Sequence, residues 1–462
     1  MQPKLSLTEG SIPRALLLFS LPILYGSVLQ SLNGSVNAMW VGHFLGHAAF
    51  AAAGNANVVM FMLFGVIFGF SMATTVMVAQ CVGAGNMAEA KRVVGTSAAF
   101  FLALSLTLAV IGWIATPLLL RWLHTPADAV TSALAYMRIY FLAFPSMCGL
   151  FFFMAVLRGA GDSKTPFKFL ALSVALDIAL NPLLIFGFGP VPRMGIAGSA
   201  TATLIAQSLS LAALGVHLYA TRNPLRILRE EIGQFRPDGA VVRLLITKGV
   251  PMGLHLFVVS SSMLALMALV NRYGSQETAA FNASMQLWNY VQMPALAIGA
   301  AVSSMAGQNV GAGRWDRVNR VAVTGVVFNF ILGGALITAV YVLNARALGL
   351  FLPTAGAAFA IAEHLNRLVV WSFAFFGVSI VLFGVLRATG TVIAPLLMLI
   401  VSLWLVRLPF AYLLAGRWQD DAIWWAFPVS SITSMLMAIA YFRYGPWRRD
   451  RMAISTAQNA VR

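Results

Sequence analysis

The 74 positions from Ala15 to Ala88 contain no Asp, Glu, Lys or Arg, and their polar interruptions are scattered amides, hydroxyls and histidines set among Leu, Val, Phe, Ala and Met. A water-facing fold would leave such a stretch as a large exposed apolar surface. The same texture continues to the C-terminal end. Breaking the chain at charges, glycine-proline punctuation and polar clusters yields twelve apolar segments of about 20 residues, the length a helix needs to cross a bilayer. They begin near Ala15, Ala52, Val93, Tyr136, Phe167, Gly195, Leu244, Ala279, Val321, Leu365, Ile393 and Ala422. The runs are unbroken where a membrane barrel would alternate every second residue, so helices are predicted throughout. The first segment is longer than a signal h-region and shows no clear cleavage site, and it is expected to remain as a helix.

Composition agrees: of 462 residues, 60% are hydrophobic and 10% charged, with a mean hydropathy of +0.84. Thirty Lys and Arg against fourteen Asp and Glu give a net charge of +16. In a soluble chain that balance would suggest nucleic acid, but here the charges are dispersed and not patched. With the N-terminus cytoplasmic, 22 of the 30 cations fall on the inner side, from Lys4 to the five arginines beginning at Arg443. Seven fall outside and Arg407 is left within a span. The positive-inside rule therefore puts both termini in the cytoplasm, with membrane lipids, not nucleic acid, as the partner of the charge. A soluble enzyme and an ordinary DNA-binding module are excluded. Cys81 and Cys148 stand alone in sequence and read as small packing residues.

Landmarks of the first half return about 229 residues later. Pro22 answers to Pro251; Gln80-Cys-Val-Gly-Ala-Gly85 answers to Gln308-Asn-Val-Gly-Ala-Gly313; Leu157-Arg158-Gly-Ala-Gly161 answers to Leu386-Arg387-Ala-Thr-Gly390, each with a proline five residues on, Pro166 and Pro395. Four landmarks in register mark a duplication. Six spans per half is an even number, so both halves enter the membrane in the same direction as parallel repeats. The expected layout is a six-helix lobe over 1–220, a cytoplasmic linker over 221–243, a second six-helix lobe over 244–445 and a basic cytoplasmic tail over 446–462. The fold class is thus an all-α integral membrane protein of twelve transmembrane helices in two pseudo-symmetric lobes.

These segments resemble the multidrug and toxic compound extrusion (MATE) family. The likeness is carried by Gln30 through Gly46, the paired Gln-x-x-Gly-Ala-Gly and Leu-Arg-x-x-Gly segments, Asp177-Ile-Ala-Leu-Asn181-Pro182, and Gly195-Ile-Ala-Gly-Ser-Ala-Thr-Ala-Thr203. The resemblance covers essentially the whole chain. It implies a V-shaped pair of lobes that alternates between inward and outward openings, exporting amphipathic, often cationic compounds in exchange for protons or sodium ions. This sequence departs from the family pattern in the first lobe. Asn37 occupies the usual position of an aspartate, and Asp177, three residues, then Asn181 replaces the usual Asn, three residues, Asp. The acids that some members carry in the second lobe are absent from Gly253 to Ser262 and from Phe373 to Gly384.

Of the fourteen acids, Asp177 alone sits near mid-span. A carboxylate at a helix centre costs about 2.5 to 3.5 kcal/mol on insertion scales, so it is expected to face a lobe interior or a wet cavity and to be a functional group. Asn181, one turn on along the same face, is within reach of it. By family position, Asn37 and Thr203 would complete an ion-coupling cluster. A proton is favoured as coupling ion, with sodium the alternative, because a carboxylate with amide and hydroxyl oxygens suits either. Gln30, Asn33, Asn55, Asn57, His255, Gln286, Trp288 and Tyr290 are candidates to line a substrate cavity, where aromatic and adaptable walls suit flat cations. Ordinary helix packing is the competing reading for each. Pro22 and Pro182 are candidate hinges, since proline frees a backbone carbonyl within a helix.

His43 and His47 have i, i+4 spacing but no third ligand in sequence, so no metal site is expected. Gly83-Ala-Gly85 and Gly311-Ala-Gly313 are followed by no Gly-Lys-Ser/Thr, so no nucleotide cofactor is implied. No nucleophile constellation suggests an enzyme. The expectation is a monomeric secondary active multidrug antiporter of a bacterial inner membrane. A lipid-linked saccharide flippase of the same superfamily is the alternative; it would need cationic groups for pyrophosphate, and the first two spans have none. The duplicated lobes and the single buried acid argue against a passive channel. Green fluorescent protein fused after Arg462 is expected to fluoresce and alkaline phosphatase fused there to be inactive; the opposite pair of results refutes the orientation.

Overall fold

A computed structural model of the chain describes residues 7–125, 129–187, 192–227, 229–354, 356–449 and 452. Among the described residues, fourteen α-helices run in the order α1 (Ile12–Phe44), α2 (Gly46–Gly83), α3 (Met87–Trp122), α4 (Val130–Gly159), α5 (Lys164–Phe186), α6 (Ile196–Ala220), α7 (Gly239–Val270), α8 (Ser275–Gly311), α9 (Trp315–Leu348), α10 (Ala357–Val369), α11 (Ser372–Thr389), α12 (Ile393–Ile400), α13 (Leu408–Trp418) and α14 (Asp421–Tyr444). A π-helical segment, Val401–Arg407, joins α12 to α13 as one span, and no strand occurs among the described residues. Among the described residues, eleven helical stretches are long and apolar enough to cross a membrane. The twelfth span is α8, at 37 residues ample in length but interrupted by Glu277, Asn282, Gln286, Asn289 and Gln292. Its second half is almost wholly buried, from Ala297 to Val310 apart from Ala300, so protein and not lipid surrounds it there. The tenth predicted span is two helices, α10 and α11, parted at Val370 and Trp371 with no proline or glycine to mark the break.

The duplicated motifs turn out to be helix terminators. Gly85 and Gly313 follow the C-caps of α2 and α8 with φ of 72° each, and Gly161 and Gly390, near the ends of α4 and α11, have φ of 87° and 95°. A side chain with a Cβ is strained in that left-handed region, which is why glycine sits at these four turns in both halves. After the first turn, Asn86 caps α3 by accepting the Glu89 N–H at 3.0 Å.

The chain forms two compact units whose boundaries lie inside helices. Tyr25–Val250 makes the N-terminal unit; the chain through Leu24 joins Pro251 onward in the C-terminal unit. The divisions fall within α1, two residues after Pro22, and within α7, immediately before Pro251. The expected boundary at 221–243 is instead a segment held within the N-terminal unit. It contains a 3-10 helix, Arg229–Phe235. Lys91 Nζ, at the start of α3, donates to Glu231 at 2.6 and 2.8 Å, and Arg92 Nε donates to Asp238 at 3.0 Å. Hydrogen bonding to Arg92 holds the Asp238 carboxyl below the usual carboxylate range.

In the C-terminal unit, Leu7, Leu16, Phe19 and Ile23 are buried among α8, α9 and α11 residues such as Met305, Val318 and Phe383. Asn309 Nδ2 donates to the Leu7 carbonyl at 3.0 Å, fastening this first segment to α8. A second cluster gathers Phe281, Trp288, Trp424 and Phe427.

In the N-terminal unit α5 and α6 approach through Gly198, where an added Cβ would lie 2.5 Å from the Leu184 carbonyl oxygen. Backbone on both sides leaves nothing to rotate away. Gly198→Ala is expected to separate the two helices and lower stability by about 1–3 kcal/mol, read as a drop in thermal unfolding temperature in detergent. An unchanged temperature would contradict the close approach.

Candidate functional site

Asp177 lies on the inner face of α5 and is 2% exposed. Four side chains from three helices donate to its carboxylate. On α1, one turn apart, Asn33 Nδ2 and Asn37 Nδ2 reach Oδ2 at 2.8 and 2.9 Å. Thr203 Oγ1 on α6 reaches Oδ1 at 3.0 Å, and Asn181 Nδ2 approaches Oδ1 at 3.4 Å. Asn181 Nδ2 also donates to the Asn37 Oδ1 at 2.9 Å and to the Asp177 carbonyl at 2.8 Å, so it ties the α1 amide to the α5 backbone. Pro182 follows directly, in the helix but without an N–H to give it.

The local sequence explains the arrangement. The i, i+4 spacing puts Asn33 above Asn37 on one stripe of α1 and Asp177 above Asn181 on one stripe of α5. The Gly198 approach brings α6 near enough for Thr203 to reach across. All contacts to the carboxylate come from donors, the pattern that satisfies a charged acceptor away from water. Two enclosed amide oxygens, Asn33 Oδ1 and Asn181 Oδ1, have no hydrogen-bond donor among the described residues. They supply the acceptor capacity that a proton on Asp177, or a hard cation beside it, would need.

The four expected cluster residues, Asp177, Asn181, Asn37 and Thr203, thus come together. Asn33 joins them too, although its sequence suggested a cavity wall. Tyr136 and Tyr140 on α4 stand within electrostatic range of Asp177, with ring centroids 5.6 Å apart. Sequence reasoning missed both; their only signal was a pair of phenols one turn apart in an apolar span.

The remaining cavity candidates are placed within their own units. Gln30 and Asn57 are exposed on α1 and α2, and the Asn55 side chain lies outside the described residues. In the C-terminal unit Gln286 and Tyr290 are exposed on α8, and His255 packs edge-on against Phe383 at 6.2 Å. Trp288 is 1% exposed, donates to Asn366 Oδ1 at 2.9 Å and meets the Phe427 ring at 5.0 Å, so it builds the aromatic core instead of a cavity wall. Among the described residues no three His, Cys, Asp or Glu side chains gather as for a metal, and the side chains of His43 and His47 lie outside that set.

A family model described as MatE matches the chain twice, over residues 22–183 and 251–413. The two matches begin 229 residues apart, the offset of the internal repeat. The chain belongs to the MatE family. Its members are membrane transporters and not enzymes. Among curated relatives, the chain is 36% identical over 447 residues to the probable multidrug resistance protein YoeA of Bacillus subtilis, covering 96% of each chain. It is 31% identical over 449 residues to the probable multidrug resistance protein YpnP of the same organism, covering 96% of this chain and 98% of the relative. Among solved structures, a crystal structure of MATE in complex with MaD3S superposes with a TM-score of 0.88 at 20% identity, covering 99% of this MatE chain and 100% of that one. That likeness concerns the fold.

The site makes a prediction that needs no transport assay. Asn181→Ala removes the donor shared by Asn37 and Asp177 in a fully buried position, and is expected to cost about 1–3 kcal/mol, measured by thermal unfolding in detergent. Asn57→Ala, on an exposed position, is the control expected to be near neutral.

Proposed function

We propose that the protein is a secondary active multidrug efflux antiporter of a bacterial inner membrane, working as a monomer with both termini cytoplasmic. Its cargo is amphipathic and often cationic, and the exchanged ion is a proton, with sodium as the alternative. The observation that carries this reading is Asp177: one carboxylate enclosed by donors from three helices, with two acceptor oxygens unpaired beside it. Family membership and relatives named as multidrug resistance proteins support the transport class.

The mechanism follows from what neutralisation does to those contacts. With Asp177 charged, Asn33, Asn37, Asn181 and Thr203 all point donors at it and hold α1, α5 and α6 together. A proton on the carboxyl turns one acceptor into a donor, which the Asn33 or Asn181 amide oxygen can receive after reorientation. A sodium ion would cancel the same charge using those oxygens together with the carboxylate. Either event removes reasons for α1 to keep its register against α5, and a bistable helix packing converts this local change into a change of access. A cationic cargo competes for the same negative charge, so ion binding and cargo binding exclude one another and ion entry drives cargo release. Pro22 and Pro182 are the natural places for α1 and α5 to bend.

The lipid-linked saccharide flippase is the weaker reading, because the side chains gathered at this site are one acid and neutral amides and hydroxyls, which suit a cation and not a pyrophosphate.

Efflux of a fluorescent cation from proteoliposomes, driven separately by a proton gradient and by a sodium gradient, tests the reading and names the ion. Asp177→Asn is expected to abolish uphill transport while passive counterflow falls by less. Asn33→Ala is expected to reduce uphill transport about tenfold, a loss of roughly 1.4 kcal/mol of coupling, and Gln30→Ala by less than about twofold. Wild-type uphill transport in Asp177→Asn would remove this residue from the mechanism.

A further inference from the structure

Arg407 is a second intramembrane charge, and its surroundings account for only part of it. It ends the π-helical segment, midway along the Ile393–Trp418 span, and is 8% exposed. Its Nε donates to Ser430 Oγ on α14 at 2.8 Å, and its guanidinium lies 4.5 Å over the Phe427 ring. No Asp or Glu pairs with it among the described residues, and neither Nη1 nor Nη2 has a hydrogen-bond partner there. An arginine offers five N–H donors. Here one is used, and a buried cation with no counter-charge is unfavourable unless something else answers it.

The backbone has been adapted around this position. In the π-helical segment the Leu408 N–H bonds to the Leu403 carbonyl, five residues back, and that same carbonyl accepts Ser262 Oγ from α7 at 3.3 Å. Single π-turns of this kind cluster at functional sites. The internal repeat points the same way. The 229-residue offset that carries Pro166 to Pro395 carries Asp177 to position 406, one residue before Arg407. Neighbouring, though not identical, stations of the two halves therefore hold opposite charges.

We propose that Arg407 anchors an anion-recognition site in the C-terminal unit. The occupant is a carboxylate borne by the cargo, which rests on the transport reading above, or a free halide such as chloride. Ser430 fixes the Nε side of the guanidinium and Phe427 supports its face, which leaves the Nη1 and Nη2 edge as a fork unpaired among the described residues. A carboxylate matches that fork with two parallel charge-assisted bonds, and a halide can sit between the two nitrogens. The site then adds a preference for compounds that bear a free carboxylate over their esters.

The test uses purified full-length protein in nanodiscs and one xanthene dye in two forms, the free carboxylic acid and its ethyl ester. Arg407→Met is expected to weaken binding of the acid about tenfold or more, with the ester changed by less than about twofold. Arg407→Lys, which keeps the charge but not the fork and guards against misfolding of the methionine variant, is expected to fall between. Ser430→Ala is expected to retain the preference for the acid. In a second arm, sodium chloride and sodium gluconate are titrated calorimetrically; a chloride isotherm lost in both Arg407 variants identifies the halide as occupant and also supports the site. Parallel loss of acid and ester, with no Arg407-dependent chloride binding, overturns the proposal. So does a wild type that binds neither the acid nor chloride. Ester binding that survives in either case leaves the exporter reading standing, whereas failure of uphill transport of a cation strikes that reading alone.

Discussion

A single carboxylate in the middle of an apolar bundle must be answered by donors, and that requirement organises the N-terminal unit. Hydrocarbon offers Asp177 nothing, so α1 and α6 come to it with amides and a hydroxyl. Lipid is as apolar as leucine, so burying apolar surface gives helices little reason to associate with one another rather than with lipid tails. Polar contacts and close backbone approach therefore decide which helices meet. Gly198 provides the approach and Thr203 the contact, and neither works without the other.

The C-terminal unit solves a similar packing task differently. Its aromatic cluster of Phe281, Trp288, Trp424 and Phe427 supplies dense, specific packing, and its asparagines pair with each other or with backbone, as Asn366 does with Asn344 at 2.9 Å and Asn329 does with the Ala374 carbonyl at 2.9 Å. The sequence duplication has been kept in the turns and lost in the polar interior. Glycines in left-handed turns are irreplaceable for reasons of backbone geometry, so they persist in both halves. Interior polar groups have been free to diverge into a donor-ringed acid on one side and an arginine on the other.

Much of this was legible from residue pattern alone. The long apolar runs, the lone mid-span acid and the i, i+4 amide fixed the spans and most of the site. What escaped has a common cause: sequence gives the stripe along a helix but not the direction that the stripe faces. Asn33 and Asn37 share a stripe, yet only the structure shows that it turns toward α5. Tyr136 and Tyr140 looked like ordinary aromatic packing because nothing in the chain reveals that α4 stands near Asp177. Trp288 could have faced a cavity or a core with the same neighbours in sequence. The split between α10 and α11 had no proline or glycine to announce it, and the boundary inside α1 depends on contacts made with residues some 300 positions away.

That last feature bears on how the protein is made. The segment holding Leu7, Leu16 and Phe19 is made well before the α8, α9 and α11 side chains that enclose it. At about 5–20 residues per second, translation leaves it waiting for some tens of seconds. Insertion must keep this early strip sheltered from wrong neighbours until its permanent ones exist, so the C-terminal unit, to which the strip belongs, is begun before the N-terminal unit is made and completed only after it. That unit is stitched closed when its later-made helices reach back to the waiting strip.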